Sequence, residues 1–300
     1  MNTPAATPFQ QLVRKLRQIE IRILKAVDAE LQGNFGSVFK GTGLEFDDVR
    51  LYQYGDEVRA IDWAVSSKGH GTFVKTYKEE REQQVLLLLD VSGSQRVGAE
   101  GRRKIDVGRE ICGILALAAA RQEAQLGILA FSNQKELYVA PGKGIRHAYT
   151  LIKRLFELEP KAQSTAVGAG IKQALGMLKR RTIVLLLSDF IDTGFERELT
   201  MLARKHDLVV VQLLDKLEKE FPPLGIIPLL DQETGRTVWV NTSSEAFRNR
   251  YQASFAQNRD QIGQICRRHR TEFLSITTQA DYVGQLVHLF RRRNQRGGRA

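Results

Sequence analysis

The sequence predicts an α/β fold built on a doubly wound, mostly parallel sheet with helices on both faces. Two apolar runs, at 85–89 and 183–187, are bounded by polar residues, as is typical of strands that are buried on both faces. From residue 84 to residue 214, strand patterns alternate with helix patterns in the order of βαβ units. A long helix, a last strand and a closing helix complete the predicted domain.

The bounds of the elements follow from hydrophobic periodicity and from the Gly, Pro and capping residues at their ends. The periodicity predicts strands at 84–90, 125–132, 136–139, 182–189, 208–214 and 272–277. It predicts helices at 105–121, 144–158, 167–179, 196–206, 244–269 and 281–293.

The composition along the chain predicts four parts. Residues 1–32 form a leader and an amphipathic helix, because apolar side chains recur at helical spacing: Leu12, Leu16, Ile19, Ile23 and Val27. Residues 33–82 are rich in Gly, aromatic and charged residues, which predicts a β-rich segment packed on the main domain. The main domain spans 83–293, with a small β insertion at 216–240 indicated by prolines and a hairpin turn. Residues 294–300 are predicted to be a basic disordered tail.

The composition also limits the location and the class of partner. The amino end lacks the apolar core of a secretory signal, and no apolar stretch reaches the length of a membrane span, so we expect a cytoplasmic protein. The formal net charge is +11, but the arginine-rich end has no interleaved aromatic residues that would stack bases. An acidic partner protein is therefore favoured over nucleic acid. Cys112 and Cys266 are predicted to be buried, reduced thiols.

Carboxylates and hydroxyls follow the predicted strands where each strand ends. Asp90, Ser92 and Ser94 follow the first apolar run, Asp189 follows the second, and Thr165 lies just before a helix. Because the carboxyl ends of parallel strands meet at one edge of a sheet, we expect these five side chains to lie close together. Oxygen ligands without Cys or His suit Mg²⁺ or Mn²⁺. In the alternative interpretation, the serines cap the following segment and the aspartates bond loop amides.

The five candidate ligands leave a cation incompletely coordinated. Two carboxylates and three hydroxyls supply fewer oxygens than octahedral Mg²⁺ accepts, so one position stays open. An Asp or Glu side chain from another protein would be a favourable sixth ligand. The pattern therefore favours a bridging metal over a catalytic one.

The spacing Asp90-x-Ser92-x-Ser94, with Thr165 and Asp189, resembles the metal-ion-dependent adhesion site of von Willebrand factor A domains. The stretches 43–47, 55–63, 187–190 and 203–208 are similar to the bacterial family called domain of unknown function 58, and the resemblance covers roughly 36–293. It implies a partnership with a MoxR-type AAA+ ATPase in chaperone-like assembly or activation of client proteins. Many relatives carry Asp where this chain has Ala166 and Met where it has Gln95.

These observations favour a non-enzymatic interaction module and leave two other classes open. A Mg²⁺-dependent hydrolase of phosphate esters would use the same acidic sheet edge, but no nucleophile and base pair is evident beside it. A basic nucleic-acid-binding protein is the other alternative. A phosphate-binding loop is absent from the sequence, so ATP hydrolysis by this chain is not expected.

A block of mixed charges between residues 45 and 62 has three possible interpretations. We favour an ion-pair network that pins this segment to the main domain, over a partner-docking surface and over a cluster of catalytic carboxylates. The block consists of Glu45, Asp47, Asp48, Arg50, Asp56, Arg59 and Asp62.

Overall fold

The computed structural model describes residues 17, 45–69, 71–78, 84–99, 101–161, 164–219, 223–230 and 237–297. The chain divides into two compact units, one formed by residues 40–83 and the other by the rest of the chain. The predicted amino-terminal helix lies outside the described residues, apart from Arg17, which is helical. The tip of the predicted insertion, at 231–236, also lies outside them.

The smaller unit contains the predicted β-rich segment. Strands β1 (Glu45–Leu51) and β2 (Phe73–Lys78) pair antiparallel, and the short helix α1 (Trp63–Ser66) lies between them in sequence. The Asp62 side chain caps α1 by accepting from two backbone N–H groups of its first turn. Arg50 donates to both carboxylate oxygens of Asp56 at 2.7 Å, which lowers the pKa of Asp56. Two acidic residues of the block, Asp56 and Asp62, thus form ion pairs inside this unit, the second with Lys75 at 3.5 Å.

The larger unit contains a six-stranded sheet. Its strands are β3 (Gln84–Asp90), β4 (Gln125–Phe131), β5 (Lys135–Gly142), β6 (Ile183–Ser188), β7 (Asp207–Leu214) and β10 (Glu272–Thr277). Their order across the sheet is β10-β7-β6-β3-β4-β5. All neighbouring pairs are parallel except β4 and β5, so β5 is an antiparallel edge strand. β3 and β6 are therefore adjacent in the middle of the sheet.

Helices cover both faces of this sheet. They are α2 (Lys104–Arg121), α3 (Gly144–Phe156), α4 (Val167–Met177), α5 (Glu196–Lys205), α7 (Glu245–Arg268) and α8 (Tyr282–Gly297). Apolar side chains of α2, α3 and α8 form one core with alternate residues of the strands. Those of α4, α5 and α7 form a second core with the remaining strand residues. This arrangement confirms the predicted α/β class with a doubly wound, mostly parallel sheet.

The insertion folds as a hairpin of its own. Helix α6 (Lys216–Lys219) is one turn long, and strands β8 (Ile226–Leu230) and β9 (Thr237–Asn241) pair antiparallel in a separate two-stranded sheet. The prolines and turn residues indicated the hairpin, but they gave no sign of α6. The described part of the chain contains no helix that is long and apolar enough to cross a membrane.

The largest differences from the predicted bounds are in two elements, the closing helix and strand β5. The closing helix reaches Gly297, so residues 294–297, predicted as part of a disordered tail, are helical. This stretch has no helix breaker before the Gly-Gly pair at 297–298. Strand β5 is longer than predicted at both ends, because an edge strand with exposed side chains lacks the apolar run on which the prediction relied.

Cys112 and Cys266 are free and buried, as predicted, and burial raises the pKa of both thiols.

Candidate metal centre

Three hydroxyl groups meet at the carboxyl edge of the sheet. The Thr165 hydroxyl donates to Ser92 Oγ at 2.9 Å, Ser92 Oγ lies 3.1 Å from Ser94 Oγ, and Ser94 Oγ lies 3.4 Å from Thr165 Oγ1. Ser92 is fully buried, Ser94 is 8% exposed, and Thr165 is half-buried. The three hydroxyls therefore form a closed triangle beside the end of β3. Sequence spacing predicted this grouping.

Local backbone structure places these hydroxyls. Ser92 lies just before a 3₁₀ helix, Gly93–Arg96, that turns the chain sharply after β3 and brings Ser94 back beside it. Thr165 lies two residues before α4, and the backbone N–H of Val167 at the start of α4 is capped by the Asp192 carboxylate at 2.8 Å. Asp192 belongs to the loop after β6, and this hydrogen bond therefore joins that loop to the start of α4, close to Thr165.

Asp90 lies directly behind the triangle. Its Oδ1 accepts from the Ser92 backbone N–H at 2.9 Å, and its side chain also bonds the Ser92 hydroxyl. Its Oδ2 accepts from the Ser188 hydroxyl at 2.6 Å and from the Gln95 amide at 3.4 Å. Burial, and then the nearby charge of Asp189, raise the pKa of Asp90 to about 7. The hydrogen bonds from the serines lower it but do not offset the burial.

Asp189 is held by a buried lysine. Lys104 Nζ donates to Asp189 Oδ2 at 2.6 Å, and Asp189 Oδ1 accepts from the Ile191 backbone N–H at 3.1 Å. Lys104 is fully buried and also donates to Glu218 Oε1 at 2.5 Å. Burial lowers the pKa of Lys104, but the two carboxylates outweigh it, and the pKa is raised above its ordinary value. The ammonium is therefore a permanent positive charge within the site.

Strand alternation explains why the two aspartates have different neighbours. The register pairs Leu89 with Leu187, so the next aligned residues are Asp90 and Ser188, whose side chains point to one face. Asp189 follows one residue later, and alternation directs it to the opposite face, which α2 covers. Lys104 is the first residue of α2. The sequence prediction placed both carboxylates at one edge, and the structure separates their environments by the faces of the sheet.

The residues present fit a hard divalent cation. Mg²⁺ ligands lie at about 2.1 Å, so adjacent ligands of an octahedron are about 3.0 Å apart, which is close to the spacing of the three hydroxyls. Asp189 and Glu218 face the one positive charge of Lys104, and Asp90 adds a further negative charge when it is ionised. Within the described residues, no group of three His, Cys, Asp or Glu side chains is arranged to hold a metal. A cation here would therefore depend on the hydroxyl oxygens.

Sequence reasoning missed three residues of this site. Ser188 was detectable, because it precedes Asp189 on a strand that is adjacent to β3. Nothing in the sequence indicated that Lys104 and Glu218 belong to the site. A lysine just before an apolar helix pattern and a glutamate in a charged stretch are normally expected to be exposed to solvent. Glu218 belongs to α6, and its Oε2 accepts from the Asp215 backbone N–H at 3.2 Å. The insertion therefore begins in contact with the site.

Comparison with known proteins gives relatives along nearly the whole chain. Uncharacterized proteins of Mycobacterium bovis and Mycobacterium tuberculosis are each 26% identical over 282 residues, which cover 92% of this chain and 88% of the relative. Among solved structures, the conserved hypothetical protein BatB from Bacteroides thetaiotaomicron is similar, with 12% identity and a TM-score of 0.44, over 71% of this chain and 99% of that one. The SpRpn10 VWA domain has 12% identity and a TM-score of 0.38, over 69% of this chain and 94% of that one.

A protein-family model matches residues 48–261, which include all five predicted ligands and both central strands. The match extends from the β1–β2 unit through five of the six strands of the larger sheet and into α7. The resemblance of the sequence to domain of unknown function 58 is thereby confirmed. The chain belongs to the family described as Protein of unknown function DUF58.

Proposed function

We propose that this protein is a non-enzymatic interaction module that binds partner proteins through a divalent cation held at the carboxyl edge of its sheet. The observation that carries the proposal is the triangle formed by the hydroxyls of Ser92, Ser94 and Thr165, with Asp90 behind it. These oxygens have the type and the spacing that Mg²⁺ or Mn²⁺ prefers. Asp189 completes the proposed ligand set, either directly or through water.

The charges around the triangle favour an acidic partner group. Lys104 neutralises part of the negative charge of Asp189, which leaves that carboxylate a weaker ligand. The hydroxyls are uncharged. A bound cation would supply a positive centre with an open position, and a carboxylate from an Asp or Glu side chain of another protein is the ligand that best fills it.

The site offers poor means for catalysis. The hydroxyls of Ser92, Ser94 and Thr165 bond to one another, and the carboxylate nearest to them is already bonded by Ser188. The Ser188 hydroxyl lies 2.6 Å from the Asp90 carboxylate, which is the arrangement of a nucleophile and a base. Both residues are fully buried, so a substrate cannot reach this pair. These contacts support binding over hydrolysis of phosphate esters.

The partner class follows from the family resemblance. We propose that the module works in the cytoplasm with a MoxR-type AAA+ ATPase, in chaperone-like assembly or activation of a client protein that offers the acidic residue. The ATPase would supply the energy, because this chain has no phosphate-binding loop of its own. A basic chain with a formal charge of +11 is suited to an acidic client surface.

A direct test measures Mg²⁺ and Mn²⁺ binding by calorimetry and capture of the cognate ATPase with and without EDTA. We expect the double variant Ser92→Ala/Ser94→Ala to lose both metal binding and metal-dependent capture. The matched control is Thr150→Ala, which removes an exposed hydroxyl on α3 that donates to the Arg146 carbonyl. Capture that persists in EDTA and in the double variant would contradict the metal-bridge mechanism. Metal-dependent phosphatase turnover would favour the hydrolase instead.

A further inference from the structure

Gln95 places an unpaired oxygen beside the candidate metal centre. It follows Ser94 on the 3₁₀ helix and is fully buried. Its Nε2 donates to Asp90 Oδ2 at 3.4 Å, but its Oε1 has no hydrogen-bond partner among the described residues. A buried amide oxygen without a donor is costly, and such groups are rare in folded proteins. The oxygen therefore points to a donor that is not among the described residues, and a bound water molecule is such a donor.

The orientation of the amide is fixed by charge. A cation binds Asp90 in its ionised form, and with that carboxylate a turned amide would place Oε1 against Asp90 Oδ2, so that two oxygen acceptors would be in contact. Nε2 therefore belongs against the carboxylate, and Oε1 is held in the same planar group immediately beside it. The unpaired acceptor lies at the carboxylate that supports the hydroxyl triangle.

We propose that Gln95 Oε1 accepts a hydrogen bond from a water molecule of the hydration shell of the bound cation, and that Gln95 thereby raises the affinity of the site for hydrated Mg²⁺. This inference rests on the proposed function. Mg²⁺ sheds water reluctantly and usually keeps several waters when it is bound by protein. Each such water needs acceptors for its hydrogens, and groups around the primary ligands typically change metal affinity by about 10- to 100-fold.

The proposed effect of Gln95 on Mg²⁺ affinity depends on its amide oxygen, so the test replaces that oxygen. Met is the matched replacement for Gln95, because a thioether is only a weak acceptor. Replacing Gln95 by Met keeps a side chain of similar length and flexibility while removing the amide oxygen. The substitution also removes the bond from Nε2 to Asp90, so the metal must be measured where Asp90 is ionised in both proteins. At a pH of about 8.5 Asp90 is ionised in the wild type, where its pKa is about 7, and a Mg²⁺ affinity of the variant that no longer changes with pH shows that Asp90 is ionised there too.

The experiment uses the full chain freed of metal by a chelator. Mg²⁺ binding is measured by calorimetry and Mn²⁺ binding by electron paramagnetic resonance, for the wild type, Gln95→Met and Ser92→Ala/Ser94→Ala. We expect Gln95→Met to bind Mg²⁺ about 10- to 100-fold more weakly. We expect the midpoint of thermal unfolding of the metal-free variant to be unchanged or higher, because an unpaired buried oxygen has been removed.

Two results would overturn the inference and spare the proposed function. In one, Gln95→Met binds Mg²⁺ as tightly as the wild type does. In the other, its metal-free form unfolds at a lower temperature and Gln95→Leu behaves in the same way, which would indicate a structural role. If the wild type binds neither Mg²⁺ nor Mn²⁺, or if the double serine variant binds them normally, the proposed function itself fails.

Discussion

Lys104 Nζ lies 2.6 Å from Asp189 Oδ2, and neither side chain has any exposed surface. The same ammonium lies 2.5 Å from Glu218 Oε1, so one buried cation links the loop after β6 to helix α6 of the insertion. Burial raises the pKa of Glu218, and the contact with Lys104 partly offsets this. The lysine therefore holds a carboxylate of the candidate metal centre in place and connects that centre to the start of the insertion.

Replacing Lys104 by Met should destabilise the protein strongly. The variant leaves Asp189 and Glu218 buried and adjacent without a cation, and loss of one partner of a buried ion pair typically costs about 3–5 kcal/mol. Urea unfolding followed by circular dichroism measures the change. The control is Lys153→Met, which breaks an exposed pair with Glu157 on α3 and should cost about 0.5 kcal/mol or less. Equal effects of the two substitutions would contradict the role of Lys104.

Asp90 should make metal affinity depend on pH. Its folded pKa is raised from 3.8 to about 7, so the native carboxyl holds its proton between these values while the unfolded chain loses it. The contribution of Asp90 to stability is therefore largest at acid pH and is lost as pH rises toward 7. A cation binds the ionised form, so Mg²⁺ affinity should rise up to about pH 7 and then level off. Calorimetry in buffers of different ionisation enthalpy measures the proton released on binding.

Asp90→Asn supplies the control for this pH dependence. The amide does not titrate, so any remaining metal binding should depend on pH much less than that of the wild type between about 5 and 8. The urea midpoint of the metal-free variant should also fall less than that of the wild type across this range. A wild type with flat metal affinity and no proton release would show that Asp90 is ionised throughout.

The sequence predicts the sheet well because its signal is local. The strands at 85–89 and 183–187 are apolar on both faces. Short runs of this kind are typical of the central strands of a parallel sheet that is covered on both sides. The closeness of Ser92 and Ser94 is likewise a local property, because Ser94 lies only two positions after Ser92 along the chain. Lys104 could not be predicted, because its burial depends on Asp189 and Glu218, which lie 85 and 114 residues away. Long-range charge compensation leaves no periodic pattern in one sequence.

Two glycines of helix α4 should respond oppositely to alanine. At Gly170 an added Cβ would lie 2.4 Å from the Phe131 ring, so Gly170→Ala forces α4 away from β4. Overpacking of this kind costs about 1–3 kcal/mol. At Gly176 an added Cβ would meet nothing within 4 Å, so Gly176→Ala should be neutral or stabilise the helix by up to about 1 kcal/mol. Thermal unfolding distinguishes the two variants.

The same pair tests whether α4 positions Thr165. A shift of α4 moves the residues just before it, so Gly170→Ala should also weaken Mg²⁺ binding, whereas Gly176→Ala should not. If Gly170→Ala lowers the stability of the protein but leaves its Mg²⁺ affinity unchanged, then the position of Thr165 does not depend on how α4 packs against the sheet.

Ser188→Ala should move the pH midpoint of metal binding upward. The Ser188 hydroxyl donates to Asp90 Oδ2 at 2.6 Å and favours the ionised carboxylate, so its loss raises the pKa of Asp90 further. The matched control is Ser132→Ala. Ser132 is equally buried, directly after β4 on the other side of β3, but its hydroxyl donates to Glu136 at 2.8 Å. Each variant should lose about 1 kcal/mol of stability. Only Ser188→Ala should shift the midpoint, and an equal shift in Ser132→Ala would mean that general loosening of the sheet edge, not the bond to Asp90, controls the titration.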